Sequence, residues 1–152
     1  MKNTVGIKAF FNRAYYLNQL IEANKLELSR LRALAESIHV LDLSEDKVQT
    51  SRKGDLLTDV VADIINLEQE IERDVKKFLS AKRRIRKVIY SLKDDKQRLV
   101  LYSRYLNFQE FEEIAKTMNY SLRYVYKLRN DGFCSILKSN KLDILFHVES
   151  VI

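Results

Sequence analysis

The chain has 152 residues, enough for one compact domain or for a small domain joined to a long helical element. With 46% apolar and 32% charged residues it is too apolar for a disordered chain and too charged for a membrane span, and no apolar run approaches the roughly 18 residues a bilayer requires. Proline is absent and glycine occurs three times, which argues against a turn-rich all-β fold; the single Cys134 excludes an internal disulfide and argues against a zinc cluster; the net charge of +6 permits an anionic partner without requiring one.

Met1-Lys2-Asn3-Thr4 lacks the apolar stretch of a signal peptide, and the lone cysteine suits a reducing cytoplasm, so the cytoplasm is the expected location, with no membrane partner. From about Val5 to Leu41, apolar residues fall at Phe10, Ala14, Leu17, Ile21, Leu28, Leu31, Ala35 and Ile38. Steps of four and three mark one face of a long helix with a heptad seam. Asn24 sits where the seam expects an apolar side chain, either pinning register or facing a wet gap.

Residues 43–54 have no helical period and read as a loop, with Gly54-Asp55 as a stop followed by an N-cap. From Asp55 to about Leu92, Leu57, Ile64, Ile71, Phe78, Ile85 and Leu92 recur at seven without a miss. Val61, Val75 and Ile89 take the alternate seam position, and Glu68 and Lys82 interrupt it. A seam this long must be buried on another helix, and the first segment supplies one, so residues 1–92 are expected to form an antiparallel helical hairpin that also makes a homodimer. Charge is polarised along the second segment. Residues 55–74 hold seven acidic groups and one basic, whereas 75–92 hold seven basic and none acidic.

From Asp94 the heptads stop and tyrosine accumulates. Asp94 or Asp95 can cap a helix carrying Leu99, Val100, Leu101, Tyr105 and Leu106. Asn107, with Glu110 three residues on, suggests a capping box and a helix from roughly Phe108 to Met118. Asn119-Tyr120 breaks it, Ser121 caps a further helix to about Asp131, and Gly132 is the expected stop. Two short helices joined by a tight turn, the second basic, describe a helix-turn-helix over 93–137. Ala115 lets the helices approach, with Ile114 and Met118 apolar beside it. Asn119 suits a left-handed turn, Tyr120 follows it, and Val125 and Leu128 would be buried.

That burial turns Leu122, Arg123, Tyr126, Lys127 and Asn130 outward. Arg123 and Lys127, one turn apart, can reach guanine or phosphate in a major groove. Tyr126 offers a ring for a thymine methyl, and the helix start at Ser121 offers backbone N–H groups to a phosphate. Arg83, Arg84, Arg86, Lys87 and Arg129 are candidate phosphate contacts, although the basic run on the second long helix reads first as a solvated coiled-coil face. Glu110, Glu112 and Glu113 would repel DNA and should face away from it or toward a protein.

Leu101-Tyr102-Ser103-Arg104-Tyr105-Leu106, Glu112-Glu113-Ile114-Ala115 and Met118 to Leu128 together resemble region four of bacterial sigma factors. They are similar, more closely, to sigma-like late-gene regulators of phages and prophages of the RinA and ArpU type. Arg30 to Ala35 and Lys47 to Ser51 also resemble the N-terminal part of that group, so the likeness spans about residues 17–130. The resemblance implies an all-α transcription regulator, an activator of phage late genes, located in the cytoplasm of a bacterial host, at the nucleoid, with duplex DNA and host RNA polymerase as partners. Asn119 departs from the frequent glycine, and the tail 138–152 has no counterpart. The tail's apolar stretch Leu142–Ile152 is expected to pack back on the hairpin or on a second subunit. Two other readings use the same residues: a small terminase-like subunit recognising a packaging site, and a coiled-coil interaction module without DNA. No enzyme or cofactor is expected. His39 and His147 have no metal-ligand spacing, no phosphate loop or nucleophile motif occurs, Asp94-Asp95 reads as a cap, and Cys134 reads as a packing residue.

Overall fold

The computed structural model describes the backbone of residues 2–42 and 50–139 and the side chains of 5–41 and 52–139. Within them the chain is all-helical, with α1 Lys2–Asp42, α2 Thr50–Tyr90, α3 Asp95–Tyr105, α4 Phe111–Met118 and α5 Leu122–Lys138, and no strand. No helix among the described residues is long and apolar enough to cross a membrane. The readings of residues 43–49, of the stretch Leu142–Ile152 and of His147 fall outside the described residues.

The chain divides into two units, Leu17–Lys77 and Met1–Tyr16 with Phe78–Ile152. Their charges differ in sign. The first holds nine Lys and Arg against thirteen Asp and Glu, a net −4; the second holds eighteen against eight, a net +10.

In Leu17–Lys77, Ile21, Leu28, Ile38 and Val60 are buried, and Arg32 Nη2 donates to Glu68 Oε1 at 2.6 Å, tying α1 to α2. Glu68, which interrupts the heptads, therefore has an ionic partner across the pair. The alternate seam row lies one residue earlier here than the spacing predicts. Val60 is 5% exposed and Val61 42%, and Asp74 is buried where Val75 is half-buried; Val60 and Val61 both lie one turn from Leu57 and Ile64, so the choice between them rests with the surface packed against α2. Asn24 is half-buried. α2 also begins earlier than expected. Thr50–Gly54 are helical, Gly54 lies inside the helix rather than stopping it, and Thr58 Oγ1 donates to the Gly54 carbonyl at 2.9 Å. Without a proline, and with Thr58 bonded back onto it, one exposed glycine costs only about 1 kcal/mol, too little to end a 41-residue helix.

The other unit is built around α3, α4 and α5, with the start of α1 and the end of α2 closing its core. Phe11 is wholly buried, its ring 5.0 Å from Tyr105 and 5.1 Å from Phe133. Phe10, the expected seam residue, is only half-buried; Ile7, Phe11 and Ala14 form the buried row. Asp94 caps α3 as anticipated, its carboxylate accepting from the N–H groups of Lys96 at 2.8 Å and Gln97 at 3.0 Å.

Two helix ends differ from the expectation. Glu110, not Asn107, caps α4, its backbone N–H donating to the Glu113 carboxylate at 3.3 Å. Phe108 cannot be helical because its φ is 59°, a left-handed conformation that costs a bulky residue about 1–2 kcal/mol. Its ring is held 5.7 Å from Tyr15 and 6.4 Å from Phe78, with the Lys82 ammonium 5.6 Å away. Gly132 does not end α5, which runs on to Lys138. It is buried, and a Cβ there would meet Leu101 Cδ1 at 3.1 Å. Its role is close approach of α5 to α3, with no special φ. Gly132→Val should therefore destabilise this unit by about 1–3 kcal/mol through overpacking against the wholly buried Leu101, read as a lower midpoint of urea unfolding.

Candidate functional site

The candidate site is the outer face of α5, and its placement begins with the turn before it. Ile114, Ala115, Val125 and Leu128 are buried with Val100 and Phe111 in one cluster, and Met118, Tyr120, Tyr124 and Tyr126 pack against it. All the apolar positions expected of the two-helix motif thus meet in one core. Asn119 ends α4 at φ 56° and ψ 43°. Its N–H donates to the Lys116 carbonyl at 3.2 Å and that of Tyr120 to the Ala115 carbonyl at 3.0 Å, which satisfies the last carbonyls of α4. Ser121 Oγ then accepts from the Tyr124 N–H at 3.2 Å and starts α5. Glycine reaches the left-handed region without a Cβ penalty, so Asn119→Gly should be neutral or stabilising. Asn119→Val should cost about 1–2 kcal/mol, checked by thermal unfolding.

With Val125 and Leu128 fixed inward, Ser121, Leu122, Arg123, Lys127 and Asn130 are exposed. Arg123, Lys127 and Asn130 lie three and four residues apart, in a row on one face. With Ser121, Tyr124, Tyr126 and Asp131 they line an open concavity of about 600 Å³. Arg123 and Lys127 make no ion pair among the described residues, whereas Asp131 brings one acid to the edge. Tyr126 is less free than its spacing suggests. It is half-buried, with its ring 4.7 Å from Phe111.

The candidate phosphate contacts separate. Arg83, Arg86 and Lys87 are exposed on α2, and Arg84 is half-buried. From the same basic run, Lys76 and Lys77 pair with Glu72 and Asp74 at 2.9 and 3.4 Å, and Lys82 lies 5.3 Å from the Phe78 ring. Arg129 is engaged inside the unit. Its guanidinium lies 5.3 Å from Phe111 and 5.2 Å from Tyr126, and it donates to Asn130. Arg104 lies 4.9 Å from Phe111 and pairs with Glu110 at 3.0 Å. Phe111 is thus in contact with guanidinium groups from both α3 and α5. Nothing in the spacing of Arg104, Phe111 and Arg129 announces this, since the three come from separate elements.

Two titrations are displaced nearby. Burial pushes the Tyr105 phenol above its ordinary range, partly opposed by Arg129 and Arg104. A hydrogen bond with Tyr120 raises the Lys96 ammonium above its ordinary range, and the same ammonium lies 5.4 Å from the Tyr120 ring. Of the acids, Glu110 and Glu113 are committed to the α4 start and Glu112 is exposed. Cys134 is exposed rather than packed, because the inward positions of that turn fall to Phe133 and Ile136. Among the described residues no three potential metal ligands cluster.

No curated protein and no solved structure matches the chain. One family model, described as a protein of unknown function (DUF1492), matches residues 37–136, which takes in α2 through nearly all of α5. With that span matched, two thirds of its length, the chain belongs to the DUF1492 family.

Proposed function

We propose that this protein is a sequence-specific duplex-DNA-binding regulator of transcription, with α4, the turn at Asn119 and α5 acting as a helix-turn-helix of the sigma-region-four kind. The observation that carries the reading is the row of Arg123, Lys127 and Asn130, exposed on a helix whose opposite face is locked into a core. A reading helix needs this combination, since the side chains that enter a groove must be held by others that do not move. The net +10 of the unit that bears α5 supports it, because phosphate neutralisation supplies most non-specific affinity for DNA.

In this mechanism no bond is made or broken. The N–H groups at the start of α5 and the exposed Arg83, Arg86 and Lys87 engage phosphates, while Arg123 and Lys127 reach base edges. The long helices pair as an antiparallel hairpin, a reading supported by the Arg32–Glu68 contact, and two copies present reading helices about 34 Å apart. Exposed Glu112 on α4 faces a protein, and the sigma resemblance points to RNA polymerase as that protein.

The test is binding of the full chain to fragments of its source genome at about 50 and 200 mM salt. A subset of fragments should be retained, with affinity falling by about 10³-fold or more if some six phosphates are contacted. Retention of no fragment at either salt would leave only the coiled-coil interaction reading.

A further inference from the structure

We infer that Arg129 fixes the Asn130 side chain as a pure hydrogen-bond donor, so that this position of α5 selects an acceptor-rich base edge, guanine above all, and refuses the two-sided pairing with adenine. This rests on the DNA-binding reading above. Arg129 Nε and Nη2 both donate to Asn130 Oδ1, at 3.1 and 2.9 Å. A guanidinium has donors only, so the amide atom facing it is the oxygen and not the nitrogen; chemistry forces the orientation. Two N–H groups on one carbonyl oxygen occupy both of its lone pairs. What remains of the amide is its NH₂, with no partner among the described residues, on the exposed side that lines the concavity with Arg123 and Lys127.

Arg129 is held in its own place. Its guanidinium contacts the rings of Phe111 and Tyr126, and Phe111 is braced from α3 by Arg104, which is itself fixed by Glu110 and by a bond from its Nη1 to the Gln109 carbonyl at 3.0 Å. Arg129 is thus a positioning residue that acts through Asn130. An unconstrained asparagine offers adenine an acceptor for N6–H and a donor for N7; this one has lost the acceptor. Guanine O6 and N7 accept from a donor-only group, and Arg123 and Lys127, on the same face, are donor-only as well.

The test is selection from a randomised duplex library with the wild-type chain, Asn130→Ala, Arg129→Met, Arg129→Lys and Asn130→Asp, each checked for helicity and melting. Asn130→Ala should erase the preference at one base pair and so identify the position read. At that position the wild type should enrich guanine over adenine. Arg129→Met, which frees the amide to rotate, should shift the ratio toward adenine by about five-fold or more, and Arg129→Lys, still donor-only, should restore guanine. Asn130→Asp keeps the shape and the bond to Arg129 but replaces the donors with an acceptor, so it should move the preference to cytosine even if Arg129→Met fails to fold. The inference is overturned if Asn130→Ala leaves every preference intact. It is also overturned if Arg129→Met and Asn130→Asp both keep the wild-type ranking. A wild-type chain that binds no duplex removes the DNA-binding reading and this inference with it.

Discussion

Phe11→Ala is expected to destabilise the unit that carries α5 by about 3–5 kcal/mol. Phe11 is wholly buried and its ring touches both Tyr105 of α3 and Phe133 of α5. Removing it loses the transfer free energy of a phenyl group and leaves a cavity between rings that cannot collapse without moving two helices. The loss comes from the start of α1, far in sequence from the helices it supports. Phe10→Ala, at a half-buried site one residue away, should cost distinctly less. Urea unfolding followed by helicity checks both. Equal effects at the two positions would mean that Phe11 is not the anchor, and that the first helix contributes nothing particular to the packing of α3 on α5.

How much of this was legible in the sequence depends on whether a signal was local. The all-helical composition, the Asp94 and Ser121 caps, the left-handed Asn119 and the inward Val125 and Leu128 are each written within a few residues, where caps, turns and periodicity operate. The choice between neighbouring residues was not. Phe10 against Phe11 and Val61 against Val60 depend on where a 3.6-residue helix drifts under a seven-residue pattern, and only the partner surface settles it. Gly132 shows a different failure. A glycine near a helix end usually signals a stop, yet here α3 needs the missing side chain, and no local pattern encodes a neighbour from another element. Phe108 and Glu110 are the same kind of case. Asn107 and Glu110 have capping-box spacing, but the aromatic contacts of Phe108 with Tyr15 and Phe78 accompany a left-handed residue there and the helix starts three residues later. Of the site, the exposed row Arg123, Lys127 and Asn130 followed from helical geometry alone. The engagement of Arg129 did not, because it needs Phe111 and Arg104 brought in from α4 and α3.

The double variant Arg123→Ala/Lys127→Ala should lose about 2–6 kcal/mol of specific duplex affinity, at about 1–3 kcal/mol per base contact, while melting within about 0.5 kcal/mol of the wild type. Both side chains are exposed and neither makes an ion pair among the described residues, so the fold has no stake in them. If Lys127 touches a phosphate instead of a base, its share of the loss appears as a salt slope smaller by about one and as weakening that is uniform over sequences. Lys25→Ala is the matched control. It also removes a lysine, but from the net-negative unit, where Lys25 pairs with Glu22 at 3.0 Å, and it should leave both affinity and slope unchanged. The two variants together separate a reading face from mere positive charge. A loss shared by Lys25→Ala would assign binding to overall charge, and an undiminished affinity and slope in the double variant would take the reading helix away from α5.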